Sequence, residues 1–155
     1  MPATTPLDKV LQKMRHYCAY QERCHQEVLQ KAVQLGAKKS EANEIAVKLI
    51  EDGFLNEERF AIAFAGGKFR IKKWGRNRIV AQLKARDISS RIIDTALREI
   101  DEESYQKTFA QLAEQCWDEL KGEPTLVRKK KCHDFLLRKG YESDMVRAFL
   151  SKCIV

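Results

Sequence analysis

Apolar residues recur along this chain in a single pattern around three turns, centred on Gly36, Asp87 and Gly140. At offsets of −8, −4, +6, +9 and +10 from each turn stand Val28, Ala32, Ala42, Ile45 and Ala46, then Ile79, Leu83, Ile93, Ala96 and Leu97, then Cys132, Leu136, Val146, Phe149 and Leu150. All fifteen are apolar, and the turns lie 51 and then 53 residues apart. Residues three and four apart share a helix face, so the first two offsets mark a helix before each turn and the last three a helix after it. The chain therefore reads as three copies of one helix-turn-helix unit. An elongated array of this kind offers a surface to a long partner rather than a pocket to a small one. Each unit, at about 50 residues, buries too little surface to stand alone, so the units are expected to lean on one another.

Local signals place nine helices and no strand. Thr5-Pro6-Leu7-Asp8 combines a capping hydroxyl, a proline at the first helical position and a carboxylate three residues after the cap, so a helix runs from there to about Tyr20. The next two cover Cys24 to Leu35 and Ser40 to Asp52, with Gly36 and Gly53 supplying left-handed backbone at their ends. Asp87 takes the place of Gly36 in the second unit, since aspartate tolerates that conformation better than most residues. Asn56 caps a long helix carrying Phe60, Phe64 and Ile71 on one face. Gly66-Gly67 interrupts it at a cost of roughly 2 kcal/mol against alanine, which implies either a close neighbour or a bend.

Trp74-Gly75 ends that helix, Arg76 to Arg86 forms the next, and Ser89 or Ser90 caps one reaching Ile100. Asp101-Glu102-Glu103 opens a helix that stops before Gly122, Thr125 caps Leu126 to Lys139, and Ser143 caps the last. The expected organisation is a disordered N-terminus over residues 1–5 and three-helix repeats over 6–54, 55–100 and 101–155.

Composition narrows the class. Of 155 residues, 44% are hydrophobic and 33% charged, with only 7 glycines and 3 prolines, which suits a soluble helical protein. No apolar run approaches the roughly 20 residues of a membrane span, and the N-terminus lacks a secretory pattern, so a cytoplasmic protein is expected. Cys18, Cys24, Cys116, Cys132 and Cys153 are an odd number without a CxxC pair and read as reduced thiols filling helix faces. Cys24-His25 and Cys132-His133 fall at different places in the repeat, which argues against zinc. His16, His25 and His133 are isolated, and there is no GxxxxGK[ST], HExxH or GxSxG. The acidic pairs Glu57-Glu58 and Glu102-Glu103 sit in first turns, where the helix dipole accounts for them. No enzyme, metal or cofactor is expected.

Charge adds a location. Residues 1–67 are net 0, residues 68–86 hold eight cations and no acid, residues 87–125 are net −6 and residues 126–155 net +5, within a total of +7. Lys68, Arg70, Lys72, Lys73, Arg76, Arg78, Lys84 and Arg86 thus form a run without a local counter-ion, interleaved by Phe69 and Trp74. Such density invites a polyanion, because each neutralised phosphate releases condensed counterions. Trp74 can stack on a base or a partner side chain, although an aromatic at a helix elbow usually packs into the core. Arg128, Lys129, Lys130 and Lys131, with Arg138 and Lys139, form a second candidate that Asp134 offsets in part. Only Asn77 and Gln82 accompany the cations of residues 76–86 as base readers, so any DNA binding is expected to be weakly sequence-specific.

The segment Gly53-Phe54-Leu55-Asn56-Glu57-Glu58-Arg59-Phe60-Ala61, then Lys68-Phe69-Arg70 and Lys72-Lys73-Trp74-Gly75-Arg76, then Ile79, Leu83, Ile88, Ile93 and Ala96-Leu97, resembles the RecX regulatory proteins, modulators of the RecA recombinase. The likeness is strongest over residues 53–97, and beyond residue 100 rests on the repeat spacing. Gly66-Gly67, Asp87 and Cys24 depart from the residues usual in that family. The resemblance implies an all-α, curved array of three tandem three-helix repeats, a monomer that binds the RecA–DNA filament and inhibits strand exchange and ATP turnover, and weak, non-specific contact with single- and double-stranded DNA. It carries no catalytic residues, only the basic positions of residues 68–86 as contacts. Two alternatives use the same charges: a free-standing nucleic-acid-binding module, and a helical adaptor whose charges serve solubility.

Overall fold

The computed structural model describes residues 5–153. Nine α-helices lie within them: α1 (Pro6–Tyr20), α2 (His25–Gln34), α3 (Lys39–Glu51), α4 (Glu57–Gly67), α5 (Arg76–Ala85), α6 (Ser90–Arg98), α7 (Glu102–Glu119), α8 (Thr125–Lys139) and α9 (Ser143–Ser151). Residues 1–4, most of the segment expected to be disordered, lie outside the described residues, and Thr5 is the cap of α1. Its hydroxyl accepts from the Asp8 amide and the Asp8 carboxylate accepts from the Thr5 amide, each at 3.1 Å.

The repeat is visible in the turns themselves. Gly36, Asp87 and Gly140 all have positive φ, at 110°, 58° and 105°. After each, the amide of the following residue bonds back to the carbonyl five residues earlier: Ala37 to Ala32, Ile88 to Leu83 and Tyr141 to Leu136, at 3.0, 3.2 and 3.2 Å. This closes the last helical turn and turns the residue after the bend inward. Ala37, Ile88 and Tyr141 are accordingly buried. Of the fifteen repeat positions thirteen are buried, and Leu97 and Phe149 are half-buried.

Packing follows the same division. Helices α1, α2 and α3 enclose one core of Val10, Met14, Val28, Ala32, Ile45 and Leu49 with neighbours that include Leu55. A second core runs without a break from Phe60 through Ile79, Leu83 and Ile93 to Tyr105, Leu136, Tyr141 and Val146, so the second and third units share their interior. Cys24, at the start of α2, is the residue of the first unit that enters it. The accessible surface is 9930 Å² for 18.0 kDa. A compact monomer of that mass exposes about 8,000 Å², so the array is elongated.

Three local expectations change. Ile71 does not join Phe60 and Phe64 on the inner face; it is 78% exposed, and Phe69 is buried instead. The cause is a π-helical turn over Lys68–Lys72, directly after Gly66-Gly67, which widens the helix and moves the inward position from four to five residues after Phe64. A side chain at Gly67 would meet nothing, and one at Gly66 would meet the Arg70 guanidinium of the next turn, so the glycines permit the wide turn rather than a neighbour's approach. Thr125 and Ser143 are first residues of their helices, not caps; those positions belong to Pro124 and Glu142. Pro124 takes extended backbone and its carbonyl accepts from the Arg128 amide at 2.8 Å, while Glu142 is held by partners in the second unit.

The cysteines behave as core. Cys18, Cys24 and Cys132 are buried, and burial pushes the thiol of Cys24 up to about 11 and of Cys132 up to about 12. Among carboxylates, the Ser104 amide holds Asp101 below the ordinary 3.8, and the Thr5 amide does the same for Asp8. A folded-state pKa below the unfolded one contributes stability above the unfolded value, and this is lost as the pH falls through the folded one. The melting temperature is therefore expected to drop as the pH falls below about 4. Asp101→Asn, which keeps a capping oxygen but cannot titrate, should flatten that drop in melts followed by circular dichroism.

Candidate nucleic-acid interface

The basic run begins in the wide turn after α4 and continues through α5, and the third unit fixes its path. Lys73 has left-handed backbone at φ 59° and ends the wide turn. Its carbonyl accepts from the Tyr141 hydroxyl at 2.8 Å, and the Lys72 carbonyl accepts from Lys139 Nζ at 2.9 Å. The Gly75 amide donates to the Lys139 carbonyl at 2.7 Å, and the Asn77 amide to the Gly140 carbonyl at 2.9 Å. Backbone meets backbone here: a Cβ on Gly75 would lie 2.3 Å from the Gly140 carbonyl carbon, and a Cβ on Gly140 would lie 2.5 Å from Arg78 Cβ. The start of α5 is thus seated on the turn between α8 and α9.

This seat gathers charge from both units. Lys139 is drawn below the ordinary lysine value first by burial and then by the nearby cations Arg78, Lys72 and Lys73. The Arg78 guanidinium donates to the Arg138 carbonyl at 3.3 Å, which brings a fifth cation to the rim. Upstream and downstream the row continues over aromatic rings. Arg78 lies over Trp74 at 4.4 Å, Lys68 over Trp74 at 5.1 Å and over Phe64 at 5.4 Å, and Arg86 over Phe64 at 4.7 Å. Arg70 and Lys84 are exposed, and Arg70 lines a shallow hollow with Lys73 and Asp101. Among the described residues, Lys68, Arg70, Lys72, Lys73, Arg78, Lys84, Arg86, Arg138 and Lys139 have no carboxylate within ion-pair distance.

Not every expected residue is on this track. Arg76 has two counter-ions, Glu102 and, at 2.8 Å, Glu142, which are 26 and 66 residues away in the chain. It anchors a network: the Arg76 amide donates to the Tyr105 hydroxyl at 2.9 Å, and that hydroxyl donates to Glu142. Burial and the Glu142 carboxylate push the Tyr105 hydroxyl well above the ordinary tyrosine value, so it stays a donor. Tyr105→Phe leaves the Arg76 amide without its acceptor and Glu142 without a donor. The expected loss is about 1–3 kcal/mol, read as a lower urea midpoint at unchanged slope.

The cluster at the start of α8 is also spent locally. Arg128 lies 3.9 Å over Trp117 and donates twice to its carbonyl, at 2.9 and 2.7 Å, closing the end of α7. Lys130 pairs with Asp134 at 3.0 Å and Lys131 with Glu123 at 2.8 Å, and Lys129 is half-buried. Nine residues of helix, about 13 Å, separate Lys129 from Arg138. The second basic segment therefore divides, and only its far end, Arg138 and Lys139, joins the first. Phe69 is buried in the core, and Trp74 is half-buried with Phe64 packed edge-on to it at 6.3 Å.

Sequence comparisons agree with the architecture. A model described as "RecX, second three-helix domain" matches residues 56–97 and one described as "RecX, third three-helix domain" matches residues 102–150, together more than half of the chain. Proteins named "Regulatory protein RecX" from Bacillus cytotoxicus and Bacillus mycoides are each 24% identical over 136 residues, 88% of this chain and 50% of theirs. The chain thus spans about half the length of these curated relatives. A solved structure titled "Crystal structure of regulatory protein RecX" superposes with a TM-score of 0.84 at 20% identity, covering 95% of this chain and 72% of that one. RecX from Lactobacillus salivarius superposes with a TM-score of 0.81 at 22% identity, covering 95% and 96%. With three units turned by the same bend and two of them matched by the family's own domain models, the chain belongs to the RecX family.

Proposed function

We propose that this protein regulates the RecA recombinase by laying its cationic track along the RecA–DNA filament, inhibiting strand exchange and ATP turnover. The observation that carries the reading is the row of uncompensated cations continued from the second unit into the third across a backbone-to-backbone seat. A filament offers phosphates and repeating protein subunits together, and an elongated chain touching both gains affinity through effective concentration although each contact is weak. The protein acts as a cytoplasmic monomer in this reading, and needs no cofactor. Sedimentation with preformed RecA filaments, with and without nucleotide, tests it alongside strand exchange. Co-sedimentation with inhibition supports it, and absence of both ends it.

A free-standing nucleic-acid module remains the second reading, because the track needs no protein partner to bind phosphates. Nanomolar affinity for bare DNA at about 150 mM salt, without recombinase, would favour that module.

A further inference from the structure

We infer that the row Arg86, Lys68 and Arg78, mounted on the rings of Phe64 and Trp74, grips the phosphate chain of a nucleic-acid strand and leaves its bases unread; this rests on the proposal that the track faces nucleic acid. Aromatic rings among cations ordinarily suggest base stacking. Here the rings already carry the protein's own cations. Trp74 has both Arg78 and Lys68 above its ring, at 4.4 and 5.1 Å, and its edge contact with Phe64 fixes it against the core. Phe64 has Lys68 and Arg86 at 5.4 and 4.7 Å and Phe60 beside it at 5.6 Å. A base seated on Trp74 would have to displace the two cations that also hold the strand, so stacking and phosphate binding compete for the same groups.

The rings instead work as platforms. Attraction to the ring face restricts three long, flexible side chains to set positions, so less of their freedom is lost when a phosphate arrives. Arg78 and Arg86 are eight residues apart along α5 and its end, about 12 Å. That covers about three nucleotides at the roughly 3.4 Å axial rise of one strand. Arg86 is steadied further by its bonds to the Gln82 carbonyl and side-chain oxygen at 2.9 and 3.2 Å.

The test compares a twenty-residue oligothymidine with an abasic strand of the same length, bound to the full chain at matched salt, while strand-exchange inhibition is assayed in parallel. Equal affinity within about threefold supports the inference, as does a Lys68→Gln variant that weakens both strands alike and lowers the salt slope by about one. The substitution at the exposed end of Lys68 avoids the folding risk of removing Trp74. Oligothymidine binding more than tenfold tighter than the abasic strand, with Lys68→Gln leaving it unchanged or improved, overturns the inference without touching the regulatory proposal. Failure to bind either strand while inhibition persists also overturns it. Equal binding of both strands without inhibition upholds it and removes the regulatory proposal instead.

Discussion

Gly75→Ala lowers stability by on the order of 3–5 kcal/mol and detaches the third unit from the second. The added methyl would sit 2.3 Å from the Gly140 carbonyl carbon, 2.4 Å from its oxygen and 2.5 Å from the Tyr141 amide nitrogen, all backbone atoms with no rotamer to give way. Overpacking of this kind costs about 1–3 kcal/mol, and the two backbone bonds it breaks, Gly75 to Lys139 and Asn77 to Gly140, contribute about 1 kcal/mol each. Out of the 5–15 kcal/mol available to a typical domain this is a large fraction. Urea melts by circular dichroism measure it, with Gly67→Ala as the contrast. Gly67 has ordinary helical backbone and open space around it, so that variant should gain about 0.5–1 kcal/mol. A Gly75→Ala protein as stable as the parent would mean that the seat is not where the units are joined.

Reversing Lys72, Lys73, Arg78 and Lys139 together to glutamate is the second large effect. At about 0.7 counterions released per phosphate contact on a single strand, losing four contacts flattens the logarithmic salt dependence by about 3. Between low and moderate salt that is on the order of a thousandfold in affinity. Arg76 is left out on purpose, because Glu at that position would face Glu102 and Glu142 and unfold the junction rather than discharge the track. Four reversals at Lys9, Lys13, Lys38 and Lys39 in the first unit give the same net charge and should retain most of the binding. Equal losses in the two variants would show that overall charge, not the track, governs affinity.

What could be read from the chain was local. The caps at Thr5, Asn56, Ser89 and Asp101, the left-handed Asp87 and the inward faces of α2, α3, α5, α6, α8 and α9 depend on residues within one or two turns of each other, and the sequence carries them openly. The site was legible as a density of cations but not as a track. Arg76 has no acid near it in sequence and two in space, Arg138 and Lys139 belong with residues some 67 positions earlier, and Arg128 looks free until the end of α7 is seen to need a donor. Each of these depends on how helices dock. The π-helical turn escaped for a different reason: a one-residue widening leaves composition untouched and shifts only the phase, exchanging Ile71 for Phe69.

The seat of α5 on the α8–α9 bend also bears on how such a chain can grow. Direct backbone bonds at 2.7 and 2.9 Å fix the register between the second and third units, so a residue inserted on either side of that seam would have nowhere to go. The two residues by which the third copy outruns the second fit instead at the stretch from Leu120 to Pro124, which is largely solvent-facing and longer than the link before α5. Length has drifted where the copies face water, and has been held constant where one copy reads the other.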